Sequence, residues 1–122
     1  MKKAAIKNKY LSDFLFYGLE NLNGGAEYAS EFYFSEVDFE VLLGRVQELE
    51  IGIEKIEPYA LSNFFIFDNH KLQGYESTDP VWYWMSFERM KSLAETASLL
   101  LTYHANFYIP EKVLERYYAS LN

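Results

Sequence analysis

Two histidines and several pairs of carboxylates are the side chains of this chain whose chemistry could serve catalysis or metal binding. His70 follows Asp68 by two positions, and His104 lies among alternating polar and apolar residues. A metal site needs further ligands at a recognisable spacing, and the chain has no HExxH motif, no EF-hand loop and no third histidine. We therefore predict exposed or hydrogen-bonded histidines, no metal and no cofactor.

Motifs that supply nucleophiles or bind phosphates are missing from the sequence as well. The chain has no cysteine, no GxSxG elbow, no GxxxxGK[ST] loop and no GxGxxG turn. Glu54 with Glu57, or Asp68 with Glu76, could form the carboxylate pair of a glycoside hydrolase, but 18 acids in 122 residues make chance pairs certain. We expect no enzymatic activity. A small enzyme or ligand-binding domain built on the loop 68–79 and the two histidines stays open as an alternative.

The helices that must position these residues follow from the spacing of apolar side chains. This spacing predicts helices over residues 9–22, 36–49, 80–95 and from 111 to the end. Ser35 with Asp38 resembles a capping box, and Asp79 before Pro80 is an N-cap acid followed by a proline at the first helical position. Residues 1–8 have no periodicity, so we expect a flexible basic tail there.

Alternation of apolar and polar residues predicts three strands. They cover residues 51–57, 62–68 and 101–108. In the first strand the alternation slips after Ile53, which indicates a bulge, and we expect Pro58 to end its ladder. The first two strands are expected to pair as an antiparallel hairpin. The fold predicted for a single domain over 1–122 is α+β, with a small antiparallel or mixed sheet of about three to four strands and helices packed mainly on one face.

The charge of the chain is acidic and unevenly distributed. The net charge is −7, but four of the 11 basic residues lie in the first nine positions, which leaves seven bases against all 18 acids in residues 10–122. Such a surface repels nucleic acid and anionic lipid and attracts a basic partner. Two alternatives stay open: the acidity serves only solubility, or the protein is an acidic adaptor or nucleic-acid mimic.

Membrane segments and leader peptides are not indicated by the sequence. No apolar run approaches the ~20 residues that span a bilayer, and no hydrophobic segment follows the basic start as a secretory signal requires. We therefore expect a cytoplasmic protein with no membrane partner.

The cluster Trp82-Tyr83-Trp84 has two possible roles. On a helix its side chains point in directions about 100° apart, so we expect at least one of them to be exposed. The cluster either lines the edge of the core or forms a hot spot for protein binding, since Trp and Tyr are concentrated in interfaces.

Four segments carry a resemblance to a known group of proteins. They read FYFSEVDFEVLLGRVQELEIGIEKIEPY, FFIFDNH, STDPVWYWMSFERMKS and YHANFYIPEKVL, and together they span residues 32–114. In this arrangement the chain resembles the small immunity proteins of bacterial polymorphic-toxin and contact-dependent growth inhibition systems. The resemblance implies a stoichiometric inhibitor, made in the cytoplasm of the toxin producer, that blocks the active site or substrate entry of its cognate toxin domain.

The resemblance and the charge together predict how the partner is bound. A nuclease must hold phosphates with basic residues, so an acidic inhibitor fits a basic nuclease toxin and does not itself bind nucleic acid. We expect contacts through carboxylates and aromatic anchors near the predicted hairpin and the following loop. The predicted contact residues are Glu54, Glu57, Tyr59, Asp68, Tyr75, Glu76, Asp79 and Trp82. The sequence does not indicate an oligomeric state.

Overall fold

The computed structural model describes residues 2–22, 32–60, 70–71 and 74–121, and at 60, 70 and 71 it describes the backbone alone. Within these ranges the chain is α+β, as predicted, with four α-helices and an antiparallel sheet. The helices are α1 (Lys3–Tyr10), α2 (Glu36–Glu48), α3 (Pro80–Thr96) and α4 (Glu111–Ser120). The strands are β1 (Gly52–Ala60), β2 (His70–Lys71) and β3 (Leu101–Tyr108).

The sheet is built around the antiparallel pair of β1 and β3, which are joined along their whole length. The two residues of β2 pair with Lys55 and Ile56 on the other edge of β1, so the strand order is β2-β1-β3. The described part of the chain thus holds two long strands and one very short one, and the expected count of three to four is not confirmed. The predicted strand 62–68, and with it most of the predicted hairpin, lies outside the described residues.

A bulge interrupts the pairing of β1 with β3 where the sequence predicts one. Ile53 pairs with Phe107 and Lys55 with Asn106, so Glu54 is the extra residue. The extra residue restores the alternation, because the apolar Ile56 again falls on the same face of the sheet as Ile53.

Pro58 does not end the ladder as expected, because it lies inside β1 opposite Tyr103. The backbone N–H and C=O of Tyr103 bond to Phe34, on the side away from β1. Pro58 and Tyr103 are therefore a non-hydrogen-bonded pair of the antiparallel ladder, in which residue 58 donates no N–H to β3. The missing donor of proline therefore costs nothing in the pairing with β3, and the strand continues to Ala60.

The apolar residues of the described ranges form one core between the sheet and helices α2 and α3. One face of the sheet is buried and apolar, with Ile56 and Tyr103 among its residues. The ring of Phe39 in α2 stacks on Tyr103 at 5.0 Å, and Phe87 in α3 meets the same ring edge-on at 5.4 Å. The other face, which we name the polar face, carries three cross-strand pairs: Lys55 with Asn106, Glu57 with His104, and Tyr59 with Thr102.

The starts of α2 and α3 have the caps that the sequence predicts. The Ser35 hydroxyl accepts a hydrogen bond from the Asp38 N–H at 3.2 Å. The Asp79 carboxylate accepts one from the Val81 N–H at 2.9 Å, and Pro80 is the first residue of the helix. Each cap satisfies a backbone donor that the helix itself leaves free.

Both helices end in a left-handed residue that is not glycine. Glu50 follows α2 with φ 56°, and Ser98 follows α3 with φ 53°. In each case the next N–H bonds back to a carbonyl five residues earlier, Ile51 to Val46 at 3.3 Å and Leu99 to Ala94 at 2.9 Å. This is the Schellman arrangement, in which glycine is the residue that adopts the left-handed position without strain.

The N-terminal segment differs from both expectations for it. Lys3–Tyr10 is α1 instead of a tail, and the chain continues as a π-helical turn over Leu11–Leu15 instead of a helix to residue 22. α1 packs against α4, and Tyr10 is buried in the core. These tertiary contacts stabilise a helix whose own sequence has little amphipathic character.

Arg45 and Gly18 explain why the first helical segment stops at Leu15. The Arg45 guanidinium donates hydrogen bonds to the carbonyls of Leu15 at 2.8 Å and Tyr17 at 2.7 Å, and it lies 3.8 Å from the centre of the Tyr17 ring. Gly18 then adopts φ 74°. The arginine thus supplies donors to carbonyls that a helix end leaves unpaired.

Candidate partner-binding surface

The loop that precedes α3 is fastened to the start of β1 through one carbonyl group. The carbonyl oxygen of Ser77 accepts hydrogen bonds from the Ile53 N–H at 3.0 Å and from the Trp82 indole N–H at 3.4 Å. Gly52 allows this approach, because a Cβ at that position would lie 2.8 Å from the backbone of Ser77. The described part of the loop begins with a bend at Gly74, whose φ is 73°. The loop therefore has a defined position along the edge of β1.

Four of the predicted contact residues lie around this attachment, and we name them the acidic edge: Glu54, Tyr75, Glu76 and Asp79. Glu54 follows Ile53 and Glu76 precedes Ser77, so the two glutamates flank the hydrogen-bonded pair in sequence. Both are exposed, and neither carboxylate makes an ion pair or hydrogen bond with any described residue. Tyr75 is 41% exposed. Asp79 is only partly available, since its carboxylate also caps α3.

Glu54 also borders a groove between α1 and the sheet. The groove has a volume of about 350 Å³ and is lined by Lys7, Asn8 and Asn106 as well as Glu54. The Lys7 ammonium donates to the Phe107 carbonyl at 2.7 Å and forms no ion pair with Glu54. The groove is also lined by apolar residues, among them Leu11 and Phe107, so the bulge places a free carboxylate beside a groove of mixed character.

Glu57, in contrast, is already paired within the chain. Its carboxylate accepts a hydrogen bond from the Tyr59 hydroxyl at 2.8 Å and lies 3.4 Å from the Lys55 ammonium. Burial acts to raise the pKa of Glu57, but the hydrogen bond from Tyr59 and the interaction with Lys55 outweigh it, so the pKa lies below its ordinary value. Burial, and then the hydrogen bond to Glu57, raises the pKa of Tyr59 well above its ordinary value. Much of the charge of Glu57 is therefore compensated before any partner arrives.

The polar face around Glu57 is covered by two stacked tyrosines. The rings of Tyr33 and Tyr59 are 5.2 Å apart and nearly parallel. Thr102 and His104 are buried on the same face, and the Nδ1 of His104 lies 3.3 Å from the carbonyl oxygen of Phe32. His104 is thus a hydrogen-bonded, buried histidine. Tyr59 is half-buried in this stack and offers only part of its ring to a partner.

Trp82 is not the exposed anchor that we expected. Only 3% of its surface is accessible, and the neighbouring Tyr83 is fully buried. Trp84 is half-buried, and its indole N–H donates to the Gln47 side chain at 2.9 Å. The cluster therefore lines the core. Asp68, another predicted contact residue, lies outside the described residues.

Comparisons with known proteins do not identify a relative. The chain matches no protein-family model, no curated protein and no solved structure. The resemblance to immunity proteins therefore stays a prediction.

Neither a metal centre nor a membrane span is found in the ranges that the structure describes. No three side chains among His, Asp and Glu come together there. The register pairs His70 with Ile56 and His104 with Glu57, so the two histidines are not neighbours across adjacent strands. None of the described helices is long and apolar enough to cross a bilayer.

Exposed apolar side chains on the outward sides of α2 and α3 were not among the predicted contact residues. They are two pairs, Val37 with Val41 and Val81 with Met85, together with Leu93. Val37, the most exposed of them, has 72% of its surface accessible. The members of each pair are four residues apart, on the side of the helix that faces away from the core. The helical periodicity that predicts the buried residues could therefore have predicted these exposed residues as well.

Proposed function

We propose that this protein binds and neutralises a basic bacterial toxin domain, and that the toxin is a nuclease. The observation that carries the proposal is the position of Glu54 and Glu76, two exposed carboxylates without a described partner that flank the hydrogen bond between Ile53 and Ser77. Carboxylates held on an ordered backbone need little rearrangement to meet the lysines and arginines of a basic surface.

Inhibition follows from competition for the same positive groups. A nuclease holds phosphates with lysine and arginine side chains, and carboxylates bound to those groups prevent the substrate from entering. Tyr75, exposed next to Glu76, supplies an aromatic ring for the centre of such an interface. Glu57 contributes little to this attraction, since Lys55 and Tyr59 already compensate its charge.

The protein acts in the cytoplasm of the cell that makes the toxin, where it occupies the toxin domain until export. It does so without catalysis, because binding alone blocks the active site or substrate entry. This part of the proposal rests on the resemblance to immunity proteins and on the acidic charge of the chain.

The test is co-expression with the product of the open reading frame adjacent to this gene. We expect that product alone to stop bacterial growth, and growth to return when this chain is present. Purified together, the two proteins should form a complex whose association rate falls as salt increases. Continued toxicity in the presence of this chain, or no complex at low salt, refutes the proposal.

The binding surface is tested with charge reversals matched for net charge. The double variant Glu54→Lys and Glu76→Lys should lower the association rate by about tenfold or more, because it removes the steering charges at the contact. The control, Glu40→Lys with Glu115→Lys, changes the net charge equally at two exposed sites on α2 and α4. If both double variants slow association to the same degree, the acidic edge is not the contact surface.

A further inference from the structure

A second surface, separate from the acidic edge, is a groove between the end of α2 and α4. It has a volume of about 560 Å³, the larger of the two grooves described. Its lining includes aromatic rings: Phe14 is 41% exposed and packs against Tyr10 at 4.9 Å and Tyr117 at 5.6 Å between ring centres. The chain therefore presents an exposed aromatic ring on the wall of this groove, and interfaces concentrate binding energy at such residues.

The two sides of this groove have opposite charge. The end of α2 contributes Glu48 and Glu50, and α4 contributes Lys112 and Arg116. All four side chains are exposed, and none of them makes an ion pair or hydrogen bond with another described residue. The acids and bases thus lie on one groove without neutralising each other.

Glu50 holds its place in this groove at a cost in backbone strain. Its φ of 56° is the left-handed conformation that glycine adopts without penalty, and a non-glycine residue there loses stability. The chain nevertheless keeps a carboxylate at this point. Strain of this kind is a pointer to function when the strained residue lies on a candidate binding surface.

We propose that this groove is a homodimer interface, occupied by a second copy of this chain. A two-fold axis along the groove places the acidic side of one copy against the basic side of the other, twice over. Glu48 and Glu50 then meet the partner's Lys112 and Arg116, and Phe14 of each copy supplies an exposed aromatic ring to the contact. A single surface with two oppositely charged sides is complementary in charge to itself about such an axis, as an isologous interface requires.

The first measurement is the oligomeric state of the full chain by sedimentation equilibrium, from about 1 µM to 1 mM protein. The mass is expected to rise with concentration from 14.4 kDa towards twice that value, and less steeply at high salt because the contacts are ionic. A chain that stays monomeric over the whole range overturns the proposal.

Charge reversal then identifies the surface. One variant carries Glu48→Lys and Glu50→Lys, and the other carries Lys112→Glu and Arg116→Glu. Each variant alone places like charges opposite one another, so its dimer should dissociate at a concentration at least about tenfold higher than the parent's. Mixing the two variants restores opposite charges at both contacts and should give a heterodimer as stable as the parent dimer.

This rescue separates the interface from an effect on folding, because a misfolded variant is not repaired by its counterpart. Circular dichroism and thermal unfolding of each variant provide the folding control. If both variants dimerise as strongly as the parent, the dimer interface lies elsewhere and the proposal is refuted. The proposal is also refuted if the parent is monomeric and the variants lose binding to the adjacent-gene product, and the groove is then assigned to that partner.

Discussion

The hydroxyl groups of Tyr83 and Tyr103 offer a test of how the core of this protein is built. Both side chains are fully buried. The Tyr83 hydroxyl has no hydrogen-bond partner among the described residues, whereas the Tyr103 hydroxyl interacts with the Glu36 carboxylate. Burial, with a smaller contribution from Asp79, raises the pKa of Tyr83 to about 12. A hydroxyl that leaves water on folding and finds no partner costs about 1–3 kcal/mol.

Replacing Tyr83 by phenylalanine removes this cost and keeps the ring. In Tyr83→Phe the contact with the Trp82 ring, at 6.3 Å between ring centres, is retained, and the space left is that of one oxygen atom. We therefore expect Tyr83→Phe to raise the free energy of unfolding by about 1 kcal/mol, and the melting temperature by about 4 °C for a chain of this size. Tyr103→Phe keeps the contacts with Phe39 at 5.0 Å and Phe87 at 5.4 Å but loses the interaction with Glu36, so we expect no such gain there.

The assay is urea unfolding followed by far-ultraviolet circular dichroism, with the slope m as a check that the unfolded state is unchanged. The matched control is Tyr59→Phe, which removes the same atom where it donates to Glu57 at 2.8 Å. That variant should lose about 0.5–1 kcal/mol, since the bond is partly open to solvent. If Tyr83→Phe is destabilised as much as Tyr59→Phe, the Tyr83 hydroxyl has a partner in solution and the reasoning fails.

Three further changes test the backbone and the charge of the sheet. Gly52→Ala places a Cβ 2.8 Å from the Ser77 backbone and should lower the free energy of unfolding, measured with urea, by about 1–3 kcal/mol. An unchanged urea midpoint would show that the loop is not held against Gly52. Ser98→Gly removes the strain of a φ of 53° and should raise the free energy of unfolding by about 0.5–1 kcal/mol, measured as a higher melting temperature. A lower melting temperature contradicts the left-handed conformation of residue 98. Burial acts to raise the pKa of Glu57, yet its hydrogen bond with Tyr59 and its ion pair hold it below the ordinary 4.5. The stabilisation from Glu57 is therefore fully present above pH 4.5 and is lost as the pH falls through the lower folded-state pKa. The difference in free energy of unfolding between the parent and Glu57→Gln should thus narrow as the pH falls below 4.5, and a constant difference would be inconsistent with this.

Elements whose signals are local could be predicted from the sequence. The cap of Ser35 on α2, the cap of Asp79 on α3, the bulge at Glu54 and the whole of β3 are found where they were expected. In each case the residues that decide the structure are within a few positions of one another. The hydrogen bonds and the alternation they produce do not depend on distant parts of the chain.

Elements stabilised by distant contacts could not be predicted. α1 has a polar sequence, and its structure depends on packing against α4 and on the bond from Lys7 to Phe107. Pro58 stays in its strand because Phe34 takes the hydrogen bonds of Tyr103 on the opposite side. Neither contact leaves a trace in the local pattern of residues.

The candidate site was predicted in part for the same reason. The exposure of Glu54 and Glu76 follows from their positions in a bulge and a polar loop. The pairing of Glu57 with Lys55 could have been found, since residues two apart on a strand share a face. Which side of the Trp82 helix faces the core depends on how α3 is placed against the sheet, and the burial of Trp82 was therefore missed.

The hydrogen bonds along the outer edge of β3 have a consequence for recognition. The backbone of Tyr103 is already bonded to Phe34, and the carbonyl of Phe107 is taken by the Lys7 ammonium. At Tyr103 both backbone groups are occupied and at Phe107 the carbonyl is, which disfavours edge-to-edge aggregation at these points. A protein that approaches these two points therefore meets side chains and already bonded backbone groups, and not an open ladder that it could extend there.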